Sequence, residues 1–384
     1  MSHLLVLSND PISAYVTKGE IKPRYFNPGN VFDRITVITP GDTDVAPADV
    51  QMLAGDAELV IVPVGHFRPK RPWRYFSYRK RIREIAVEAA PDVIRSYNPA
   101  LFGALSVDAA KLVGVPAVIS VHSNYDYNSR TLKRKNREWK SYAWLQFSRF
   151  ALERTSLRRA DVIIAAYSYA ASYVQKVSGR RASEIIYNRV CDHGIPKLRT
   201  RQIGDPLRVI SVGNLDYLKG HDRLIRSLAH IDEVHLTIIG GGSDLERLEQ
   251  LASELGVFER VEFTGPIANT EIQSRYRSAD VFAFPSKYGG LSIPVIESAS
   301  AGLPLVLGIV EGDPDPGDIF GVCAVLIEST PESFAAEFRS LINSPERLAK
   351  LSRDSYKVFQ SINGEAMEER EKNMYLQLLG TVKS

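Results

Sequence analysis

Short segments rich in Val and Ile alternate with longer helix-like segments along almost the whole chain, and that alternation leaves few folds open. Segments 4–8, 35–39, 59–63, 92–97, 116–122, 161–166 and 184–188 read as strands, separated by helical stretches such as 78–90 and 132–158. Strands joined by helices run parallel, because a parallel neighbour needs a long crossover and a tight turn does not supply one. The rhythm breaks at 197–206, which is polar and interrupted by Gly204 and Pro206. It restarts with strands at 207–213, 235–241, 261–265, 280–285, 304–308 and 323–328, and helices such as 222–231 and 244–256. The expected architecture is α/β, with two doubly wound domains in tandem, the first spanning 1–200 and the second starting at 201. A length of 384 residues accommodates both at about 100 to 200 residues each.

With 44% hydrophobic and 24% charged residues, the chain has globular composition. Its longest apolar runs are strand-sized, and the first, at 4–7, is broken by Ser8-Asn9-Asp10, too short for a signal-peptide core. Nothing approaches the ~20 apolar residues of a membrane span. Cys191 and Cys323 stand far apart without metal-ligand spacing, which points to a reducing compartment. The expected location is cytoplasmic, with peripheral contact at the inner face of a membrane as a further expectation from charge.

The net charge of +3 conceals a division. Residues 1–200 carry 30 Lys and Arg against 18 Asp and Glu, and residues 201–384 carry 18 against 27. Two stretches hold most of the basic excess, 68–83 and 130–159, and both interleave aromatic residues such as Trp73, Phe76, Trp139 and Trp144. Solvated helix faces with inward aromatics are one reading. An anionic membrane surface or a lipid-linked, phosphate-bearing acceptor is the other. No nucleic-acid partner is expected, since no recognition motif accompanies the charge.

The candidate chemistry lies where strands end. Phe284-Pro285-Ser286-Lys287-Tyr288-Gly289-Gly290-Leu291-Ser292 leads from a strand into a short helix that Gly302 closes, with Ser292 as N-cap and Pro294 in the first turn. A Gly-rich loop before a helix aims backbone N–H groups and the positive helix end at an anion, so a phosphate belongs there. Glu297, one turn further, is placed to accept hydrogen bonds from neighbouring sugar hydroxyls, as a ribose presents them. Lys219 follows the first strand of the second domain and precedes a helix, a position suited to a pyrophosphate. Gly240-Gly241-Gly242 resembles a dinucleotide fingerprint but has Leu245 at the third glycine position, so a structural turn is the better reading. The carboxylates of Asp313, Asp315 and Asp318 alternate with prolines and read as a surface loop; no metal site is expected.

These motifs resemble the retaining family 4 glycosyltransferases. The family's donor loop has a Pro-Ser pair followed by Glu, seven residues and a second Glu; here the second is Glu297 and Gly289 stands at the first. Its Gly-Arg-Leu, three residues, Lys-Gly stretch matches Gly213-Asn214-Leu215 through Lys219-Gly220, with Asn214 in place of Arg. The resemblance implies a GT-B fold, two Rossmann-like domains facing across a cleft, with residues 201–364 binding the donor and 365–384 returning to pack on the first domain. It further implies donor contacts from Gly19, Asn214, Lys219, Ile267, Gly290, Leu291, Ser292, Ile293 and Glu297. His122, at the end of the fifth strand, corresponds to a family histidine facing the donor loop, so His122, Lys219 and Glu297 are the implied catalytic set. Asp126 is a candidate for holding the acceptor, and Arg24 for supplying the phosphate charge that Asn214 lacks.

The implied reaction transfers a sugar from a nucleotide diphosphate sugar to an acceptor hydroxyl with retention of configuration, in envelope, exopolysaccharide or glycolipid assembly. The sugar nucleotide is then a co-substrate, and no cofactor or metal is called for. Two alternatives remain open on the residues: a catalytically weak sugar-nucleotide-binding partner subunit, since Gly289 and Asn214 replace charged positions, and a sugar-nucleotide epimerase or dehydrogenase of similar architecture.

Overall fold

A computed structural model describes residues 1–17, 21–65, 74–122, 146–192, 204–287, 291–309 and 315–382. The chain forms two units, Met1–Tyr187 with Met367–Ser384, and Asn188–Ala366.

The first unit is built on seven parallel strands, β1 (His3–Leu7), β2 (Arg34–Thr39), β3 (Glu58–Pro63), β4 (Val93–Ser96), β5 (Ala117–Val121), β6 (Val162–Ala165) and β7 (Glu184–Ile185). They lie in the order β3-β2-β1-β4-β5-β6-β7. Every residue of β1, β4 and β5 is buried, the burial that parallel strands covered on both faces require. The connecting helices are α1 (Ile12–Thr17), α2 (Arg74–Ala89), α3 (Leu101–Val113), α4 (Arg154–Arg159) and α5 (Ser168–Ser178). Of the helix expected at 132–158, only the part from Gln146 lies among the described residues, and it holds a π-helical turn, Ser148–Glu153, before α4.

The second unit has six parallel strands, β8 (Leu207–Val212), β9 (Val234–Ile239), β10 (Val261–Gly265), β11 (Val281–Phe284), β12 (Leu305–Ile309) and β13 (Val325–Glu328), in the order β10-β9-β8-β11-β12-β13. Its helices are α6 (His221–Ser227), α7 (Leu245–Glu254), α8 (Asn269–Ser278), α9 (Ile293–Ser300), α10 (Pro331–Ile342) and α11 (Pro345–Gln360). Val209, Leu236 and Ile238 from the strands share one buried cluster with Leu224, Leu248, Phe334 and Phe338 from the helices.

The last helix, α12 (Gly364–Val382), starts in the second unit and supplies its remaining length to the first. Arg95 of β4 is fully buried and donates to Glu371, to the Tyr375 hydroxyl at 2.7 Å and to Ser120 Oγ at 3.1 Å. The unit boundary at Tyr187 falls ahead of the polar 197–206 stretch, most of which lies outside the described residues. Residues 188–192 belong with the second unit because Val190 O accepts from Gly364 N at 2.8 Å and Asp192 accepts from the Tyr356 hydroxyl at 3.2 Å.

Candidate active site

Strand order in the second unit reverses between β8 and β11, and ligands of open α/β sheets sit beyond the carboxyl ends at such a reversal. Two loops leave there, 213–220 after β8 and 285–292 after β11. They are laced together: Lys287 N donates to Leu218 O at 2.8 Å, and Lys287 Nζ lies 3.1 Å from Asp222 and 3.7 Å from the Tyr217 ring centroid. A Cβ on Gly220 would stand 2.3 Å from Pro285 O, so only glycine lets the loops approach this closely.

Within the first loop, Asp216 Oδ1 accepts from Leu218 N at 2.8 Å and Lys219 N at 3.2 Å, an Asx turn that fixes where Lys219 leaves the backbone. The Lys219 ammonium lies 5.4 Å from the centroid of the Phe284 ring at the end of β11. Burial holds its pKa below the usual lysine value, against the nearby Asp216 carboxylate. A poorly hydrated cation at a strand end favours an anionic ligand. Asn214 is exposed in the same loop.

The second loop enters α9 at Ser292, which has extended N-cap geometry (φ −98°, ψ 145°) with Pro294 in the first turn. Its hydroxyl makes no capping bond, so the expected side-chain cap is corrected: the backbone alone starts this helix. Leu291 is half-buried and Ile293 is exposed. Glu297, half-buried one turn on, accepts from the Tyr276 hydroxyl at 3.1 Å. Tyr276 is completely buried, and burial followed by the Glu297 charge raises its pKa well above the usual value, so it remains a donor. Ile267, half-buried, follows β10 at the same sheet end. Gly240 to Gly242 form a structural turn: a Cβ on Gly240 would fall 2.0 Å from Gly213 O, so this turn backs the Lys219 loop. Gly19, Asp126, Gly289 and Gly290 lie outside the described residues.

In the first unit His122 directly follows β5, its ring stacked at 5.9 Å on Tyr97, which stacks in turn on Tyr25 at 5.5 Å. The Arg95 guanidinium lies 4.3 Å from the Tyr97 centroid. Arg24, expected to offer its charge to phosphate, instead holds Glu368 of α12 with Nε and Nη2 at 2.5 and 3.1 Å. That pairing is the main cause raising its pKa, and the positive charge is spent on a carboxylate. Sequence reasoning missed Tyr276, the Lys287–Asp222 pair and His221. The adjacency of His221 to Lys219-Gly220 was a usable signal; the other two had none, because their partners are remote in sequence.

Two parallel sheets, each with its reversal and the second with a cation and a helix start beside it, match the two Rossmann-like domains of the GT-B fold. Solved structures agree on the fold: HepE of Anabaena in complex with UDP (TM-score 0.69, 15% identity, 98% of this chain and 100% of that one). A sucrose-phosphate synthase of Thermosynechococcus elongatus does so as well (0.70, 17%, 99% and 100%). The model of Glycosyltransferase Family 4 matches residues 33–191 and that of Glycosyl transferases group 1 matches 198–358, so the chain belongs to the family 4 glycosyltransferases. Among its relatives are a GDP-mannose-dependent alpha-(1-6)-phosphatidylinositol monomannoside mannosyltransferase of Mycolicibacterium smegmatis, 30% identical over 53% of this chain and 60% of that protein. Another is the sulfoquinovosyl transferase SQD2 of Arabidopsis thaliana, 28% identical over 69% and 52%. The chain thus spans between half and two thirds of the length of these two relatives.

Proposed function

We propose that this chain transfers a glycosyl group from a nucleotide diphosphate sugar to an acceptor hydroxyl with retention of configuration, in envelope, exopolysaccharide or glycolipid assembly. The observation that carries this is the partly desolvated Lys219 ammonium at the sheet reversal, on a loop bonded to the one that opens α9 ahead of Glu297. The bond from the anomeric carbon to the diphosphate oxygen breaks as the bond to the acceptor oxygen forms on the same face, and the acceptor proton goes to the departing phosphate. Negative charge grows on that leaving group. Lys219 and the backbone N–H groups at the start of α9 stabilise it, each ~1.4 kcal/mol of differential stabilisation giving tenfold in rate. Glu297, held by Tyr276, takes the ribose hydroxyls, and Ile267 borders the base. His122 is assigned to the acceptor side. The sugar nucleotide is the only co-substrate in this scheme, with Lys219 as its cation.

GDP-mannose and UDP-glucose head the donor screen, because proteins similar to this one are named for GDP-mannose or solved with UDP-glucose. Glu297→Ala is expected to weaken the bound donor by roughly 1.5 to 3 kcal/mol per charge-assisted hydrogen bond lost, read by calorimetry. Donor affinity unaltered in that variant refutes the assignment. A partner subunit without turnover is the second reading, motivated by Asn214 where the family has Arg; measured transfer to any acceptor eliminates it.

An anionic membrane surface is the proposed partner of the first unit. On α2, Phe76 and Val87 are 68% and 59% exposed beside the exposed Lys80. Among the described residues no helix is long and apolar enough to cross a membrane. Sedimentation with anionic against neutral vesicles tests surface binding, and equal sedimentation with both removes it.

A further inference from the structure

His221 opens α6 immediately after Lys219-Gly220, and it is 1% exposed. Neither ring nitrogen has a hydrogen-bond partner among the described residues. Buried polar atoms are nearly always paired, and a group left over at a strand end needs an explanation. Gly213 has φ +158°, and the three atoms nearest the point where its Cβ would stand, among the described residues beyond its chain neighbours, are Lys219 Cδ and Cγ, at 3.9 and 4.0 Å, and His221 Cε1, at 4.0 Å. The space over Gly213 is therefore lined by the stem of Lys219 and by the imidazole. A ligand oxygen seated there lies against the Lys219 stem and against His221 Cε1, the carbon bonded to both ring nitrogens. Ser211, two residues earlier in β8, is also fully buried, and its hydroxyl has no hydrogen-bond partner among the described residues, so polar capacity gathers at this strand end.

We infer that His221 is a further phosphate-positioning residue, whose uncharged imidazole donates one ring N–H to a nucleotide phosphate oxygen seated over Gly213 beside Lys219. This rests on the reading of the Lys219 loop as a diphosphate site. Burial first and Lys219 second lower the His221 pKa to about 4, so at neutral pH the ring has one donor and one acceptor nitrogen and adds no charge to repel Lys219. The carboxylates of Asp216, Asp222 and Asp244 also face it and oppose that lowering. Lys219 supplies charge, and His221 supplies direction.

The test measures dissociation constants of UDP, GDP, uridine and guanosine for the unmodified chain, Lys219→Ala, His221→Phe and His221→Gln, with unliganded melting points as a folding control. His221→Phe keeps a ring without a donor and is expected to weaken the diphosphate that binds by about tenfold, ~1.4 kcal/mol. Its nucleoside affinity should stay unchanged, and His221→Gln, which restores an N–H, should recover part of the loss. If Lys219→Ala weakens the diphosphate while His221→Phe does not, the His221 role is overturned and the diphosphate site stands. If the unmodified chain binds neither diphosphate, both fall. Imidazole ¹⁵N spectra of the unmodified chain give a second readout that needs no folded variant: one His221 nitrogen is expected to shift when the diphosphate is added, and no shift overturns the proposal.

Discussion

Replacing Tyr276 by Phe removes one oxygen and one hydrogen bond, the 3.1 Å contact to Glu297, while the buried ring keeps its place against Phe282. A hydrogen bond to a charged group contributes ≈ 1.5–3 kcal/mol. Because Glu297 is only half-buried, water takes up part of the lost bond, and about 1.5 kcal/mol is the expected destabilisation. For a unit of this size that corresponds to a melting point lower by roughly 3 to 6 °C. The assay is a double-mutant cycle in denaturant with Tyr276→Phe, Glu297→Ala and the pair. If the hydroxyl acts through Glu297, the two effects are non-additive by about 1 kcal/mol. Additivity within about 0.3 kcal/mol refutes the bond. Nucleotide affinity gives an independent check: Tyr276→Phe should weaken it several-fold where Glu297 is intact and leave it unchanged where Glu297 is gone.

Glu371→Ala leaves Arg95 buried without its carboxylate and should cost about 3 to 5 kcal/mol by denaturant unfolding; a loss under about 1 kcal/mol contradicts the burial of the pair. Gly240→Ala forces a Cβ against Gly213 O and should destabilise the second unit by more than about 2 kcal/mol, seen as a lower melting point, with nucleotide affinity falling too because Gly213 must shift. Glu153 is buried beside Tyr173, and burial raises its pKa from 4.5 to about 7. The folded chain therefore binds its proton more tightly than the unfolded one, and its contribution to stability falls as pH rises from 4.5 to about 7. Glu153→Gln should accordingly raise the melting point at pH 8, by at most about 3 kcal/mol of stability, and change little at pH 4; equal effects at both contradict the raised pKa.

Strands were legible because buried parallel strands write themselves as β-branched runs between Gly and Pro. Segment 261–265 is β10 without adjustment, and 207–213 exceeds β8 by one residue, Gly213, whose N–H still donates to Ile239 O at 3.0 Å. Helix α9 was legible too, since Pro294 and Gly302 mark its ends by fixed backbone preference. Polar pairs were not. Arg24 looked free for a phosphate because nothing near it in sequence is its partner, and Glu368 is 344 residues away. Tyr276 sits in a helix whose other residues are mostly polar and exposed, so its inward hydroxyl left no periodic trace. Ser292 has the residue type of a cap without its bond, a reminder that type sets a preference and the loop geometry decides.

The tie between Arg95 and Glu371 also sets an order of events during synthesis. The two residues are 276 apart, and at 5–20 residues per second a ribosome needs roughly 14 to 55 s to add that length. Until Glu371 is made, Arg95 lacks the carboxylate that meets it in the finished fold. The part of the chain made first is thus finished last, when the closing helix emerges.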